Sequence, residues 1–237
     1  MKIIKINSPN FSRKIRKNKD IKYIILHYTG MQSKRASIKR LTSKNSRVSC
    51  HYFVDRLGSV IQMVDNELIA WHAGKSKWKK SNNLNANSIG IELENKGHKF
   101  GYQKYSNIQI KNLIKLCLNL KKKFKIKNKN ILGHSDIAPL RKVDPGEKFP
   151  WKYLSKKNLG TWYVNKKIIL KRNEKKYVRD VFFENLFKIG YRYFSRRNVS
   201  KNDKKIIKAF QSRFRQNNIA GLIDQKTLEI SHFLAKK

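Results

Sequence analysis

The segment "KYIILHYTG", Lys22 to Gly30, is a short apolar run that ends in polar residues and a glycine. Such a run is typical of a buried strand, and this strand would present His27 near its carboxyl end. A second segment, "SIGIELEN" (Ser88 to Asn95), alternates apolar residues with glycine and acids, so that Glu92 falls on the face opposite the isoleucines. Together these segments predict a sheet that carries ionisable side chains on buried strands.

Segments on either side extend this sheet into a larger domain. "CHYFVDRLGSVIQMV" (Cys50 to Val64) predicts a β-hairpin, because two alternating runs flank a glycine. Apolar residues at helical spacing predict an amphipathic helix over Ser106 to Phe124, and a shorter helix fits Ala36 to Ser43. "KNILG" (Lys129 to Gly133) adds one more short strand. Strands and helices mixed in this way predict an α/β domain over residues 1–160.

The character of the chain changes after residue 160. The stretch "KKIILKRNEKKYVRD" is dense in charge and has no clean period, so we predict a linker over residues 161–178. Three groups of apolar residues follow and predict three short helices within residues 179–237. About 60 residues of this kind can form a small helical bundle.

The composition indicates a folded and strongly basic protein. Hydrophobic residues make up 39% of the 237 residues, while 56 Lys and Arg against 15 Asp and Glu give a net charge of +41. Such a charge attracts nucleic acid, anionic lipid or an acidic wall polymer. A drift of composition toward Lys, Asn and Ile explains the charge equally well, because the lysines are spread from Lys2 to Lys237. The charge therefore identifies no partner, and no nucleic-acid-binding motif supports that class of function.

Targeting signals are not visible in the sequence. No stretch approaches the roughly 18 to 20 apolar residues of a membrane span. The first residues are basic but lack the apolar region and the cleavage site of a secretory signal, so we expect a cytoplasmic protein. Cys50 and Cys117 provide neither a disulfide framework nor a CxxC pair, and we expect both in the core.

Two histidines at the ends of strands suggest a metal site. His27 and His134 would share one edge of the sheet if their strands are parallel neighbours, and Asp144 follows on a loop bounded by proline and glycine that has little room for a helix. Two imidazoles and one carboxylate leave a fourth tetrahedral position for water, which is typical of catalytic zinc. Glu92 could then act as the base. None of the six histidines lies in a local zinc signature, so a structural or surface role for each stays open.

The blocks "IILHYTGM", "VSCHYFVDRLGSVIQMV", "AWHAGKSKW", "NSIGIELEN" and "GHSDIAPLRKVDPGEKFPW" occur in this order. Together they resemble the zinc-dependent N-acetylmuramoyl-L-alanine amidases, the amidase-2 or peptidoglycan-recognition-like family. The resemblance spans nearly the whole chain and is greatest with the AmiD branch, because the tail "AFQSRFRQNNIAGLIDQKT" resembles its C-terminal peptidoglycan-binding-like domain. It implies a mixed central β-sheet flanked by helices, followed by a small three-helix domain.

The resemblance also implies roles for individual residues. The zinc ligands of the family fall on His27, His134 and Asp144, its catalytic glutamate on Glu92 and its catalytic lysine on Lys142. The cofactor would be one Zn²⁺ in each catalytic domain.

Residues outside this set have less direct implied roles. His72 and Trp71, in "AWHAG", match a block that lines the substrate cleft, and Arg47 matches a position assigned to the stem-peptide carboxylates. For Asp136 and Arg141 we expect local pairing or support of the ligands.

The implied reaction is zinc-dependent hydrolysis of the amide between N-acetylmuramic acid, or its anhydro form, and L-alanine of the peptidoglycan stem peptide. Glu92 would move the proton of the attacking water, and Lys142 would stabilise the oxyanion. The implied partners are peptidoglycan or muropeptides, in cell-wall turnover or recycling. The oligomeric state is not determined by the sequence.

Two alternatives stay open at this point. The chain could bind peptidoglycan without cutting it, although the complete set of ligands and the glutamate argue for an enzyme. The AmiD branch is usually exported, which makes the cell envelope the alternative to the cytoplasm.

Overall fold

The computed structural model describes residues 2–164 and 177–237. Six strands form the central sheet, in the order β1 (Ile3–Lys5), β5 (Val60–Gln62), β4 (Tyr52–Val54), β9 (Ser88–Leu93), β3 (Tyr23–Tyr28) and β10 (Ile131–Gly133). Strands β4 and β5 pair antiparallel as the predicted hairpin, while the other neighbours are parallel, so the sheet is mixed as expected. The described residues contain two further strand pairs, β2 (Phe11–Ser12) with β6 (Ile69–Ala70) and β7 (Lys77–Trp78) with β8 (Ser81–Asn82).

Strand β3 is buried on both faces because helices cover both sides of the sheet. Ile24 and Leu26 belong to a core shared with the long helix after β9, whereas Ile25 points to a second core on the opposite side. A strand in this position needs apolar residues at consecutive positions rather than in strict alternation. This requirement explains the apolar run in "KYIILHYTG".

The helices of the first part of the chain agree with the periodicity, with small differences at their ends. Helix α1 (Lys34–Thr42) begins earlier than expected because the Ser33 side chain accepts a hydrogen bond from the Ala36 N–H. Helix α2 (Asn107–Phe124) is capped in the same way by Ser106. The segment after β10 does contain one short helix, α3 (His134–Ile137), where we expected little room for any. Helix α4 (Trp151–Lys156) follows it.

Three helices close the chain, as predicted: α5 (Val178–Ile189), α6 (Asp203–Phe214) and α7 (Gln225–Ala235). Their buried residues, including Phe182 and Phe210, pack in one hydrophobic cluster with Ile25 and Leu132 of the sheet. The C-terminal helices therefore cover one face of the central sheet. Most of the predicted linker, residues 165–176, lies outside the described residues, and the division into domains at 1–160 and 179–237 stays a prediction.

Among the described residues, none of the helices combines the length and the hydropathy that a bilayer crossing requires. Both cysteines are free and buried, as expected.

Candidate metal centre and active site

The parallel pairing of β3 with β10 brings two histidines to one edge of the sheet. Leu26 is the register partner of Gly133, so the residues that follow, His27 and His134, lie side by side. Asp144 reaches the same point from the loop after α3, where its carbonyl oxygen accepts a hydrogen bond from the Ser135 N–H. The structure therefore brings the three expected ligands together, and all three are buried.

The distances within this cluster match those expected around one small cation. Nδ1 of His27 lies 2.9 Å from Nδ1 of His134, and Oδ2 of Asp144 lies 3.1 and 3.0 Å from these two nitrogens. Tetrahedral ligands at zinc-ligand bond lengths are separated by about 3.3 Å. The three atoms are close enough to share one ion.

The tautomer of His134 is determined by a backbone carbonyl. Nε2 of His134 lies 3.1 Å from the Ala73 carbonyl oxygen, which can only accept, so Nε2 carries the proton and donates it. In the neutral ring, Nδ1 then carries the lone pair and faces Asp144. Arg141 donates to the same carbonyl and to that of Lys75, which holds the loop against the histidine.

The tautomer of His27 follows from a chain of three hydrogen bonds. The Ser88 hydroxyl donates to the Leu84 carbonyl at 2.5 Å, so its oxygen accepts from Nε2 of His72 at 3.2 Å. The other nitrogen of His72, Nδ1, accepts from Nε2 of His27 at 3.0 Å, which leaves Nδ1 of His27 with a lone pair. Burial keeps both rings neutral, because it lowers the pKa of His27 to about 4 and that of His72 well below its usual value.

The cluster therefore offers two imidazole lone pairs and one carboxylate oxygen at a single point. Burial raises the pKa of Asp144, but the neighbouring His134 and His27 outweigh this effect and hold it below the usual range. None of these three hydrogen-bond acceptors carries a proton to donate to the others, so together they are suited to binding a cation. These residues could hold one metal ion, and this nitrogen and oxygen set suits divalent zinc.

Gly90 makes the position of His72 possible. A Cβ atom at residue 90 would lie 2.3 Å from Cγ of His72, closer than atoms can approach. The imidazole thus rests directly on the backbone of β9. Sequence reasoning missed this support for His27, and the only signal was a glycine inside a predicted strand.

Glu92 lies beside the cluster because it is the register partner of His27 on the neighbouring strand. Its side chain is partly exposed to the cleft, while its Oε2 atom is buried and has no hydrogen-bond partner. Burial, with a contribution from Asp144, raises the pKa of Glu92 to about 8. A carboxylate in this state is ready to take a proton near neutral pH.

A cleft of about 520 Å³ opens over the cluster. The expected residues Trp71, His72 and Lys142 line it, and Trp71 is 36% exposed. Arg47 is exposed and is not among the lining residues, whereas Arg40 of α1 is. Sequence reasoning missed Arg40, since a cation on a basic amphipathic helix gives no signal of its own.

Asp136 and Glu94 both have partners in the structure. Glu94 accepts a hydrogen bond from the Arg56 N–H at 3.0 Å. Asp136 is fully buried and binds Arg213 of α6 and Tyr191 of the segment that follows α5. Asp136 also accepts a hydrogen bond from the nearby Gly133 N–H at 2.7 Å, so it pairs locally as expected, but the sequence did not indicate the two distant partners.

The fold and this site define the class of protein. The sequence model of the Amidase_2 family, described as N-acetylmuramoyl-L-alanine amidase, matches residues 17–147. The chain belongs to this family, and its enzymatic activity is that of an N-acetylmuramoyl-L-alanine amidase.

Individual relatives match over most of the chain. The N-acetylmuramoyl-L-alanine amidase AmiD of Escherichia coli (strain K12) is 33% identical over 233 residues, which cover 92% of this chain and 83% of the relative. The structure of E. coli AmiD with the substrate anhydro-N-acetylmuramic acid-L-Ala-D-gamma-Glu-L-Lys is similar with a TM-score of 0.80 and 30% identity, covering 95% of this chain and 91% of that one. AmpDh3 from Pseudomonas aeruginosa in complex with anhydromuramic pentapeptide has a TM-score of 0.81 and 30% identity, covering 98% and 97%.

Proposed function

We propose that this amidase uses one zinc ion, held by His27, His134 and Asp144, to hydrolyse anhydromuramyl peptides. The observation that carries the proposal is the convergence of three acceptor atoms within hydrogen-bond distance of one another, with the rings neutral and their outer nitrogens engaged by hydrogen bonds. Hydrogen bonds of this kind orient metal-binding histidines in proteins.

The amide bond resists water because resonance strengthens its C–N bond. When bound, zinc would polarise the scissile carbonyl and make water acidic enough to attack at neutral pH. Glu92 would accept the proton of the attacking water at its unpartnered Oε2 atom and return it to the departing alanine nitrogen. The raised pKa of Glu92 supports both steps, because a group that titrates near the working pH can take and give a proton.

Basic side chains that line the cleft would also take part in the proposed reaction. Lys142 would lie beside the oxyanion that forms on the carbonyl oxygen, where loss of one donor typically costs about 100-fold or more in rate. Arg40 and Arg141 line the same cleft and would bind the carboxylates of the stem peptide. Trp71 would pack against the substrate. The role of Arg47 as a carboxylate-binding residue stays a prediction without support from its position.

The substrate is proposed from the two similar structures with bound muropeptides. E. coli AmiD is in complex with an anhydromuramyl tripeptide and P. aeruginosa AmpDh3 with an anhydromuramic pentapeptide, and both cover over nine tenths of this chain. Such fragments arise in cell-wall turnover, so we propose a role in recycling. The compartment stays a prediction, either the cytoplasm or the cell envelope.

Mass spectrometry of muropeptides tests the proposal. The zinc-loaded protein should release free stem peptides that begin with L-alanine from anhydromuramyl peptides. Glu92→Gln should lower turnover by about 10²- to 10⁴-fold and keep the zinc affinity, because it removes the base and no ligand.

Glu94→Gln is the matched control, since this residue lies further along the same strand and its hydrogen bond from the Arg56 N–H survives the change. It should cut at the parent rate. If Glu92→Gln is as fast as the parent, the assignment of the base is wrong. If the parent binds peptidoglycan but releases no peptide, the proposed reaction is wrong.

A further inference from the structure

A buried ion pair joins the C-terminal helices to the segment that carries His134. Oδ2 of Asp136 accepts from the Gly133 N–H at 2.7 Å and from Nη1 of Arg213, while Oδ1 accepts from the Tyr191 hydroxyl at 2.5 Å. Asp136 and Tyr191 are fully buried and Arg213 is 3% exposed. We call Asp136, Arg213 and Tyr191 the clamp.

The clamp holds both ends of the turn that presents His134. The second guanidinium nitrogen of Arg213, Nη2, donates to the Ile131 carbonyl at 3.1 Å, so one side chain binds strand β10 before His134 and the carboxylate after it. Gly133 and Asp136, which flank the histidine, are also joined to each other. The backbone that positions the imidazole is therefore tied to helix α6.

The same turn is also hydrogen-bonded to the third proposed ligand. The Ser135 N–H donates to the Asp144 carbonyl at 2.9 Å, so a movement of α3 would also move Asp144. Two of the three proposed ligands depend on the position of this one short helix.

Aromatic rings fix the clamp from the other side. The Tyr191 ring packs edge-on against Trp78 at 4.9 Å between centroids, and the guanidinium of Arg213 lies 4.1 Å above the ring of Trp151. Trp78 and Trp151 both belong to the first part of the chain. Packing of this kind leaves the clamp little freedom to rearrange.

We propose that the C-terminal helices position the metal ligands through the clamp. This role does not require the helices to bind any molecule themselves. Asp136, Arg213 and Tyr191 are positioning residues, because none of them forms a hydrogen bond or an ion pair with the side chain of a proposed ligand. This inference rests on the proposed zinc site and goes beyond it, since it assigns a role in that site to helices remote from the cleft.

Zinc affinity of the whole protein tests the inference. Arg213→Met keeps most of the volume and removes the guanidinium. It should raise the zinc dissociation constant, measured by competition with a chromophoric chelator, by about tenfold, as changes in the surroundings of metal ligands typically do. The visible absorption of the Co²⁺-loaded variant should also differ from that of the parent, because it reports the geometry of the ligands.

Tyr191→Phe is the milder variant. It removes one hydroxyl and little volume, so it should fold even where Arg213→Met does not. Because Tyr191 acts only through Asp136, we expect the zinc dissociation constant to rise by less than the roughly tenfold typical of direct partners of metal ligands. The control is Arg215→Met, which removes an ion pair with Asp224 inside the C-terminal helices and should leave zinc affinity and the cobalt spectrum unchanged.

The outcomes separate this inference from the proposed function. Clamp variants that are folded and match the parent in zinc affinity and cobalt spectrum would overturn the inference alone. A parent that binds neither zinc nor cobalt at this site would overturn the proposed metal centre, and the inference with it.

Discussion

Asp136 and Asp144 lie on the same segment after β10, and both are buried. The groups around them differ, because Asp136 is surrounded by a cation and hydrogen-bond donors and Asp144 by imidazole nitrogens that can act as acceptors. Asp136 meets a guanidinium, a hydroxyl and a backbone N–H. Asp144 meets Nδ1 of His27 and Nδ1 of His134. The first carboxylate has its counter-charge within the chain, whereas the second faces two atoms that are themselves suited to binding a cation.

The difference is the reason why we treat Asp136 as part of the structural framework and Asp144 as a ligand of the proposed metal centre. Burying a charge is costly unless an opposite charge accompanies it. At Asp136 the fold supplies Arg213, so the pair is complete when the chain has folded. At Asp144 the proposed partner is a metal ion from solution, which would make the site dependent on metal.

The largest effect should come from removing the charge of Asp144. Asp144→Asn keeps the size of the side chain but removes the anionic ligand, so we expect zinc affinity to fall by more than the roughly 100-fold seen for changes outside the ligand set. Turnover should fall with it. Chelator competition and muropeptide cleavage measure the two effects.

Zinc also provides a readout that does not require activity. At a free zinc concentration of 100 times the dissociation constant, the parent should gain about 2.7 kcal/mol in its free energy of unfolding. Asp144→Asn should lose this gain in urea unfolding experiments. A variant that gains as much as the parent would show that Asp144 is not a ligand.

Removing the charge of Asp136 should lower the stability of the metal-free protein, in addition to any loss of zinc affinity that the clamp variants show. Asp136→Asn keeps an acceptor for the Gly133 N–H but leaves the buried Arg213 without a counter-charge, so the free energy of unfolding should fall by about 3–5 kcal/mol without metal. Urea unfolding of the metal-free protein measures this.

The matched control for this prediction is Asp224→Asn, which breaks the more exposed ion pair with Arg215 and keeps a residue that caps α7 well. We expect it to cost less than about 1 kcal/mol. Adding Arg213→Met to Asp136→Asn should recover part of the loss, because no buried charge is then left unpaired. Equal costs for Asp136→Asn and Asp224→Asn would contradict the comparison.

The smallest effect concerns the histidines packed behind the metal ligands. Burial, with the nearby Arg16, lowers the pKa of His51 to about 3, and its Nδ1 atom accepts from the Gly90 N–H. In the unfolded chain the same ring has a pKa near 6.5. Below that pH the unfolded state therefore binds a proton that the folded state does not bind. The stability of the metal-free protein should therefore fall on acidification, by up to about 1.4 kcal/mol per pH unit from this residue.

Urea unfolding between pH 7 and pH 5 measures the slope. His51→Gln, which lacks the titrating ring, should show a slope that is smaller by that amount. An identical slope in parent and variant would mean that His51 does not remain neutral in the folded protein.

Much of the fold could be predicted from the sequence because its signals are local. The apolar run in β3, the helical spacing of α2 and the capping serines are properties of neighbouring residues. The ends of α1 and the short helix α3 were less predictable, because they depend on a single cap or on bonds to distant groups.

The proposed ligands could also be named in advance, since His27 and His134 each follow a recognisable strand and the blocks of the family mark Asp144. The sequence by itself determined which elements form and which residue types are available at their ends. Only the tertiary structure decided which nitrogen of each histidine faces the proposed metal site, that Arg40 lines the cleft, and that Arg213 neutralises Asp136. The physical reason is that hydrogen bonds and ion pairs depend on distances of about 3 Å between atoms, and such distances between remote residues exist only after the cores have packed.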